Sequence, residues 1–335
     1  MHQGAVPGTV ADRQAPQYFR YKSWFIFPVT LHRLSGRSLK VPCFENRGFA
    51  PILNSERVIM NLSPIRIETS NWQEAPAGAP RQIFAIGDIH GRADLLEALH
   101  AEVRRRARPD AVVIHLGDYI DRGPWSIQAL RMALDGVDGL ETICLPGNHE
   151  QFLVAALNAS TDVQSEIMEA WLDNGGRAVA RELHCDPTAE DARSRAKLLD
   201  AIRGALGERR LNQLSSLPNH IYVGAYLFVH AGVNPGISIA QFLAQDWRNI
   251  CLDEDLDPLW IRWPFFEHNG PYEGGVVVVH GHTPRDQPEL LSNRINLDTR
   301  AFDSGRLTMA EFDNDKLRVV QTHGRSRRPG TTELE

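Results

Sequence analysis

The sequence predicts an α/β protein in which buried strands end in clusters of polar residues. Three observations predict this. Five short apolar runs rich in β-branched residues are each followed at once by Asp, His, Asn and Gly. Helical patterns over Ala93–Arg106 and 126–134 separate the first three runs. A chain of 335 residues with 42% hydrophobic and 23% charged side chains matches ordinary globular proteins and can bury a substantial core.

Taken in order, the chain opens with a segment that lacks a fold signal. Residues 1–59 carry eight Lys or Arg against three Asp or Glu, whereas the remainder carries 28 against 39. Two readings stay open for this stretch: it precedes an initiator at Met60, or it is a disordered or partner-binding arm. Its aromatics and lack of amphipathic period argue against a targeting peptide. A Pro/Ala/Gly linker, 74–80, closes an N-terminal extension expected over 1–80 and leads into a domain expected over 81–321, with a helical insert at about 151–217 and a flexible tail at 322–335.

The first apolar run, Ile83-Phe84-Ala85-Ile86, feeds Gly87-Asp88-Ile89-His90-Gly91, and the second, 111–116, feeds Gly117-Asp118-Tyr119-Ile120-Asp121-Arg122-Gly123. The third, 142–145, precedes Pro146-Gly147-Asn148-His149-Glu150. The fourth, Tyr226–Val229, precedes His230-Ala231-Gly232, and the fifth, 276–279, precedes His280-Gly281-His282-Thr283. Alternating β-α-β-α-β order implies a parallel sheet with right-handed crossovers, so the polar groups meet at the strand C-termini along one edge.

Asp88, His90, Asp118, Asn148, His149, His230 and His282 offer oxygen and nitrogen donors without a thiolate, a set suited to Mn, Fe or Zn. Seven donors exceed the needs of one ion. Two ions about 3.5–4 Å apart can share a carboxylate and clamp a phosphoryl group. Singly, Asp88 or Asp118 could cap a helix and His230 could be a core histidine. Caps, however, have no reason to include Asn148, His230 and His282 at three strand ends.

The motifs Gly-Asp-Ile-His-Gly, Gly-Asp-Tyr-Ile-Asp-Arg-Gly and Gly-Asn-His-Glu, followed by His-Ala-Gly and Gly-His-Thr-Pro, resemble the PPP metallophosphatases of the calcineurin-like phosphoesterase superfamily over about residues 82 to 312. The resemblance implies a β-sandwich flanked by helices in α-β-β-α layers. It implies that Asp88 and His90 hold a first divalent metal, that Asp118 bridges, and that Asn148, His230 and His282 complete a second, with Mn the expected metal and Fe or Zn the alternatives. It further implies that His149, oriented by Asp121, is the general acid, that Arg122 binds phosphate, and that Arg262 is a second phosphate-binding Arg.

Trp171-Leu172-Asp173-Asn174-Gly175-Gly176 is similar to an element of bacterial protein phosphatases, which favours phosphoserine, phosphothreonine or phosphotyrosine in proteins as substrate. Symmetrical diadenosine tetraphosphate hydrolysis, or another small phosphoester, is the alternative. Trp171 itself reads equally as a buried anchor or a substrate contact. A scaffold reading would require lost ligands, and every expected ligand is present.

Other residues read as structural. His115 and His280 lie in apolar runs and belong to the core or to a supporting layer. Arg104, Arg105, Arg106 and Arg108 close a helix, where cations complement its dipole. Glu150 is expected to support its loop. Arg300 stands where similar bacterial sequences carry Gly, which costs about 1 kcal/mol if that position needs φ > 0. Cys43, Cys144, Cys185 and Cys251 form no CxxC pair and read as buried thiols. A net charge of −6 gives no general attraction to nucleic acid or membrane, and no apolar run approaches the roughly 20 residues that span a bilayer. The expected location is cytoplasmic.

Overall fold

The computed structural model describes residues 65–245 and 257–325. Residues 1–59, the Met60 initiator reading, Cys43 and Cys251, and the tail beyond 325 lie outside these.

The fully apolar run Ile83–Ile86 is strand β3, because both of its faces are covered. It pairs in parallel with β4 (Val112–His115), which pairs in parallel with β5 (Glu141–Cys144). Helix α1 (Ala93–Arg106) and helix α2 (Ser126–Asp135) make the crossovers. Arg105 and Arg106 bond Glu102 one turn earlier, and Arg108 reaches Asp313, so the basic helix end is tied down by carboxylates.

The other half of this sheet is antiparallel: β3 is flanked by β11 (Thr308–Asp313), β11 by β12 (Lys316–His323), and β12 by both β1 (Arg66–Thr69) and β2 (Gln73–Glu74). The ordered domain therefore begins before residue 81 and runs past 321. Arg66 pairs with His323, so the start of the expected tail belongs to the sheet; of the expected linker only Glu74 lies in a strand, while Ala75 and Ala79 N–H donate to Asp315 O and Asn314 O. Short exposed strands in a polar context carry little hydrophobic pattern, which is why they were unreadable.

A second sheet holds β6 (His220–Val223), β7 (Tyr226–Val229), β8 (Val277–His280), β9 (Glu289–Leu290) and β10 (Arg294–Asn296), in the order β6-β7-β8-β10-β9. Here β7, β8 and β10 run parallel. Side chains from the facing sides of the two sheets, among them Ala85, Ile114, Phe228, Val279 and Phe312, form one core. A larger core lies between the first sheet and the helices, and a smaller one covers the second sheet with α7 (Ile239–Ala244) and α8 (Trp263–Glu267). The layers are α-β-β-α.

The insert between β5 and β6 is helical: α3 (Asn148–Asn158), α4 (Thr161–Trp171), a π-turn (Leu172–Gly176), α5 (Arg177–Glu182) and α6 (Ala192–Leu214), which is broken at Gly207. It is packed into the helical core through Met168, Trp171, Leu172 and Leu198. Glu182 accepts the N–H groups of Ile127 (2.8 Å) and Gln128 (3.2 Å), satisfying donors at the start of α2 that the helix itself leaves open. No helix among the described residues is long and apolar enough to cross a membrane.

Candidate metal centre

Six parallel strand ends from two sheets converge at one edge. Beyond β3 stand Asp88 and His90, beyond β4 Asp118, beyond β5 Asn148 and His149, beyond β7 His230, beyond β8 His282, and beyond β10 Asp298. All eight are buried. The backbone turns sharply to bring them in: His90, Asp118, Asp121, Arg122 and His282 have φ between 44° and 73°, a left-handed conformation that costs such residues of order 1–2 kcal/mol each.

Asp118 is common to two sets of potential ligand atoms, His90, Asp118 and His149 in one and Asp118, His230 and His282 in the other. Its carboxylate oxygens lie 3.3 Å from His90 Nε2, 3.4 Å from His230 Nε2 and 3.9 Å from His149 Nε2. Asp88 instead accepts the His282 backbone N–H at 3.0 and 3.1 Å, across the junction of the two sheets.

Proton bookkeeping tests whether these residues suit a cation. His230 Nδ1 is 2.8 Å from Leu116 O, and His282 Nε2 is 3.2 Å from Trp260 O. A carbonyl oxygen only accepts, so each neutral ring commits its one proton there. The remaining nitrogens, His230 Nε2 and His282 Nδ1, lie 3.1 and 3.0 Å from Asn148 Oδ1, itself an acceptor. Three lone-pair atoms and the Asp118 carboxylate thus face one another with no proton to share, which fits a divalent ion.

The neighbouring set follows the same logic. His90 Nδ1 is 2.8 Å from Ile120 O and His149 Nδ1 is 2.6 Å from Asp121 Oδ2, so both rings turn an unprotonated Nε2 inward. The exposed Arg122 donates to both, Nη1 to His90 Nε2 at 2.7 Å and Nη2 to His149 Nε2 at 3.0 Å.

Burial, helped by Arg122, lowers His90, and burial also lowers His230 and, with Arg262 and His230, His282. Neutral imidazole is the form that ligates. Burial opposes ionisation of Asp118, yet His230, His149 and His90 around it hold it well below the usual range. Burial and the like charges of Asp298 and Asp118 raise Asp88, and burial raises Asp298 as well. Burial pushes Asp121 up to about 8 and His149 down to about 3.

The loop after β4 hangs on Glu150, which is fully buried and accepts N–H bonds from Asp118, Tyr119, Ile120 and Gly147 at 2.8–3.2 Å. Arg262, beside the site, donates to Thr283 Oγ1 at 2.9 Å. His280 is core, its ring 4.8 Å from Phe265 and 5.5 Å from Phe266. His115 is also buried, with His100 Nε2 at 3.0 Å and Cys144 Sγ at 3.5 Å. Cys144 and Cys185 are buried thiols. Arg300 takes φ 55°, the strained conformation, with Asp298 Oδ1 accepting its N–H and Asp286 pairing its guanidinium at 2.6 Å.

Two residues at the site went unassigned from sequence. Asp298 ends a strand of only three residues, too short and polar to stand out. Phe302 lies edge-on to His90 at 5.5 Å with Arg122 over its ring at 5.2 Å, and nothing in Arg300-Ala301-Phe302 marks it beforehand.

Comparison with known proteins finds relatives of this chain. Serine/threonine-protein phosphatase 1 of Salmonella typhimurium is 28% identical over 247 residues, covering 74% of this chain and 95% of that one. The asymmetrical bis(5'-nucleosyl)-tetraphosphatase PrpE of a Geobacillus species is 25% identical over 244 residues, covering 69% and 90%. A solved serine/threonine phosphatase from Saccharomyces cerevisiae superposes with a TM-score of 0.44 at 16% identity, over 77% of this chain and 86% of that one. The family model for calcineurin-like phosphoesterases, enzymes that use divalent metal ions, matches residues 81–320, and the chain belongs to that family.

Proposed function

We propose that this metallophosphoesterase removes phosphate from serine and threonine side chains of proteins, using two divalent ions, Mn in the first instance, held by Asp88, His90, Asp118, Asn148, His230 and His282. One observation carries the reading: Asp118 joins two donor sets, and beside them an exposed Arg122 touches the Nε2 of a histidine backed by a carboxylate. When bound, the ions neutralise phosphoryl charge and make water a usable nucleophile near neutral pH.

The chain's own residues do the rest. Arg122 presents a planar fork to the phosphoryl oxygens, and Arg262 adds a second cation. His149 delivers a proton from Nε2 to the departing oxygen, and Asp121 fixes the ring by accepting from Nδ1. Burial and Arg122 both disfavour a charged His149, which therefore takes its proton from water when substrate binds, as the phosphate dianion draws Arg122 to itself and offsets the cost.

Protein substrates are favoured by the Trp171–Gly176 element and by the phosphatase relative from Salmonella. The PrpE relatives, named as asymmetrical enzymes, keep dinucleotide polyphosphates as the second reading, in the asymmetrical mode and not the symmetrical one expected from sequence. Phosphoserine and phosphothreonine peptides and diadenosine tetraphosphate, compared at fixed Mn, separate the two. Higher kcat/KM on the peptides is expected. A preference for the dinucleotide overturns the protein assignment, and hydrolysis of neither overturns the whole reading.

A further inference from the structure

The insert reaches the reaction centre through its buried side rather than through its surface. Trp171, the last residue of α4, is fully buried, and its indole N–H donates to both carboxylate oxygens of Asp121, at 2.9 and 3.1 Å. The same carboxylate holds His149 Nδ1 at 2.6 Å. Four residues on, the π-turn places Gly175 O to accept the backbone N–H of Arg122 at 3.2 Å. Both glycines are there for space. Gly175 has φ 123°, and a Cβ on it would lie 2.9 Å from Arg122 Cγ; a Cβ on Gly176 would lie 2.7 Å from the indole ring. Single π-turns inside helices recur at functional sites because they re-aim one turn's backbone groups.

We infer that Trp171 and Gly175 are positioning residues: the indole N–H of Trp171 fixes the Asp121 carboxylate that orients His149, and the Gly175 carbonyl fixes Arg122. A buried carboxylate with only His149 as partner could rotate about its side-chain bonds. Two bonds from one indole N–H pin its plane. The inference rests on the roles proposed above for His149 and Arg122, and it makes separate demands on kcat and KM. Loss of the indole N–H disturbs proton delivery, which matters most when the leaving oxygen is a strong base. Displacement of Arg122 disturbs phosphate binding, which appears in KM.

The test uses full-length, Mn-loaded protein and compares p-nitrophenyl phosphate, a good leaving group, with phenyl phosphate, a poorer one. Trp171→Phe keeps the ring and removes the N–H. Its expected result is a fall of about tenfold in kcat on phenyl phosphate, less than threefold on p-nitrophenyl phosphate, with KM and bound metal unchanged. In a His149→Asn background the same change should have no further effect, since residues acting as a unit are not additive. Gly175→Ala should raise KM on both substrates about equally. If Trp171→Phe does not fold, Gly176→Ala, which pushes the same ring, should give its pattern.

Equal loss on both substrates, or full additivity with His149→Asn, overturns the inference for Trp171, and an unchanged KM in Gly175→Ala overturns it for Arg122. The underlying reading fails separately, through the single variant: His149→Asn alone losing both substrates equally removes the general acid itself.

Discussion

At the scale of single residues, the site combines left-handed backbone with buried charge, and both can be tested by substitution. Asp118 belongs to both donor sets, so Asp118→Asn should weaken binding at both positions; elemental analysis after dialysis should find less than one ion per chain, and retention of two would count against a bridging role. Arg300 pays for its conformation with only an exposed ion pair to Asp286 in return. Arg300→Gly should therefore raise stability by about 0.5–1 kcal/mol, read as a higher urea midpoint at constant slope. The candidate ligand residues stand out in the sequence because Asp, His and Asn recur after apolar runs. Their φ values do not, since nothing in His90 or Asp118 as a residue type announces a left-handed turn.

At the scale of elements, the strands that lead into the candidate ligands are readable and those closing the sheet are not. Ile83–Ile86 and Val112–His115 are buried on both faces and so are apolar throughout, whereas Arg66–Thr69 offers only Ile67 to the core and reads as part of the N-terminal extension. The consequence is a boundary prediction. A chain begun at Arg81 leaves β12 without β1 and β2, removes the packing of Ile65 and Ile67, and exposes a strand edge. It should lose about 2 kcal/mol or more relative to a chain begun at Ile65 and aggregate on warming, as thermal unfolding of the two would show. The insert shows the complementary limit. Its helices were expected from sequence, but that Trp171 faces Asp121 depends on a π-turn that no helical periodicity encodes.

At the scale of the whole molecule, buried histidines outside the metal centre tie stability to pH. Burial, with a smaller contribution from Arg104, lowers His100 to about 4, against 6.5 ordinarily, and burial with His100 lowers its neighbour His115 well below that value. Between pH 6.5 and 4 the unfolded chain binds the extra protons, so this part of the stability is fully present above 6.5 and is lost as pH falls through that window. For His100 alone the loss is about 3 kcal/mol. His100→Gln should flatten the acid limb of unfolding free energy against pH relative to the parent protein; an unchanged limb would contradict the assignment. The apolar run around His115 places it in the core or a supporting layer, but its pairing with His100, fifteen positions earlier and one layer away on α1, appears only in the fold.

The convergence of strand ends from two sheets also says something about how activity is acquired. Asp88, His90, Asp118 and Asn148 follow strands of one sheet, while His230, His282 and Asp298 follow strands of the other. The first sheet alone brings His90, Asp118 and His149 together, but the second group, Asp118 with His230 and His282, needs both sheets. During refolding, secondary structure and much of the helical core can form within the first 215 residues, but catalytic competence must wait for the two sheets to dock across Ala85, Ile114, Phe228 and Val279. Recovery of phosphatase turnover should accordingly lag recovery of helical circular dichroism, making the enzyme a reporter of its own last long-range assembly step.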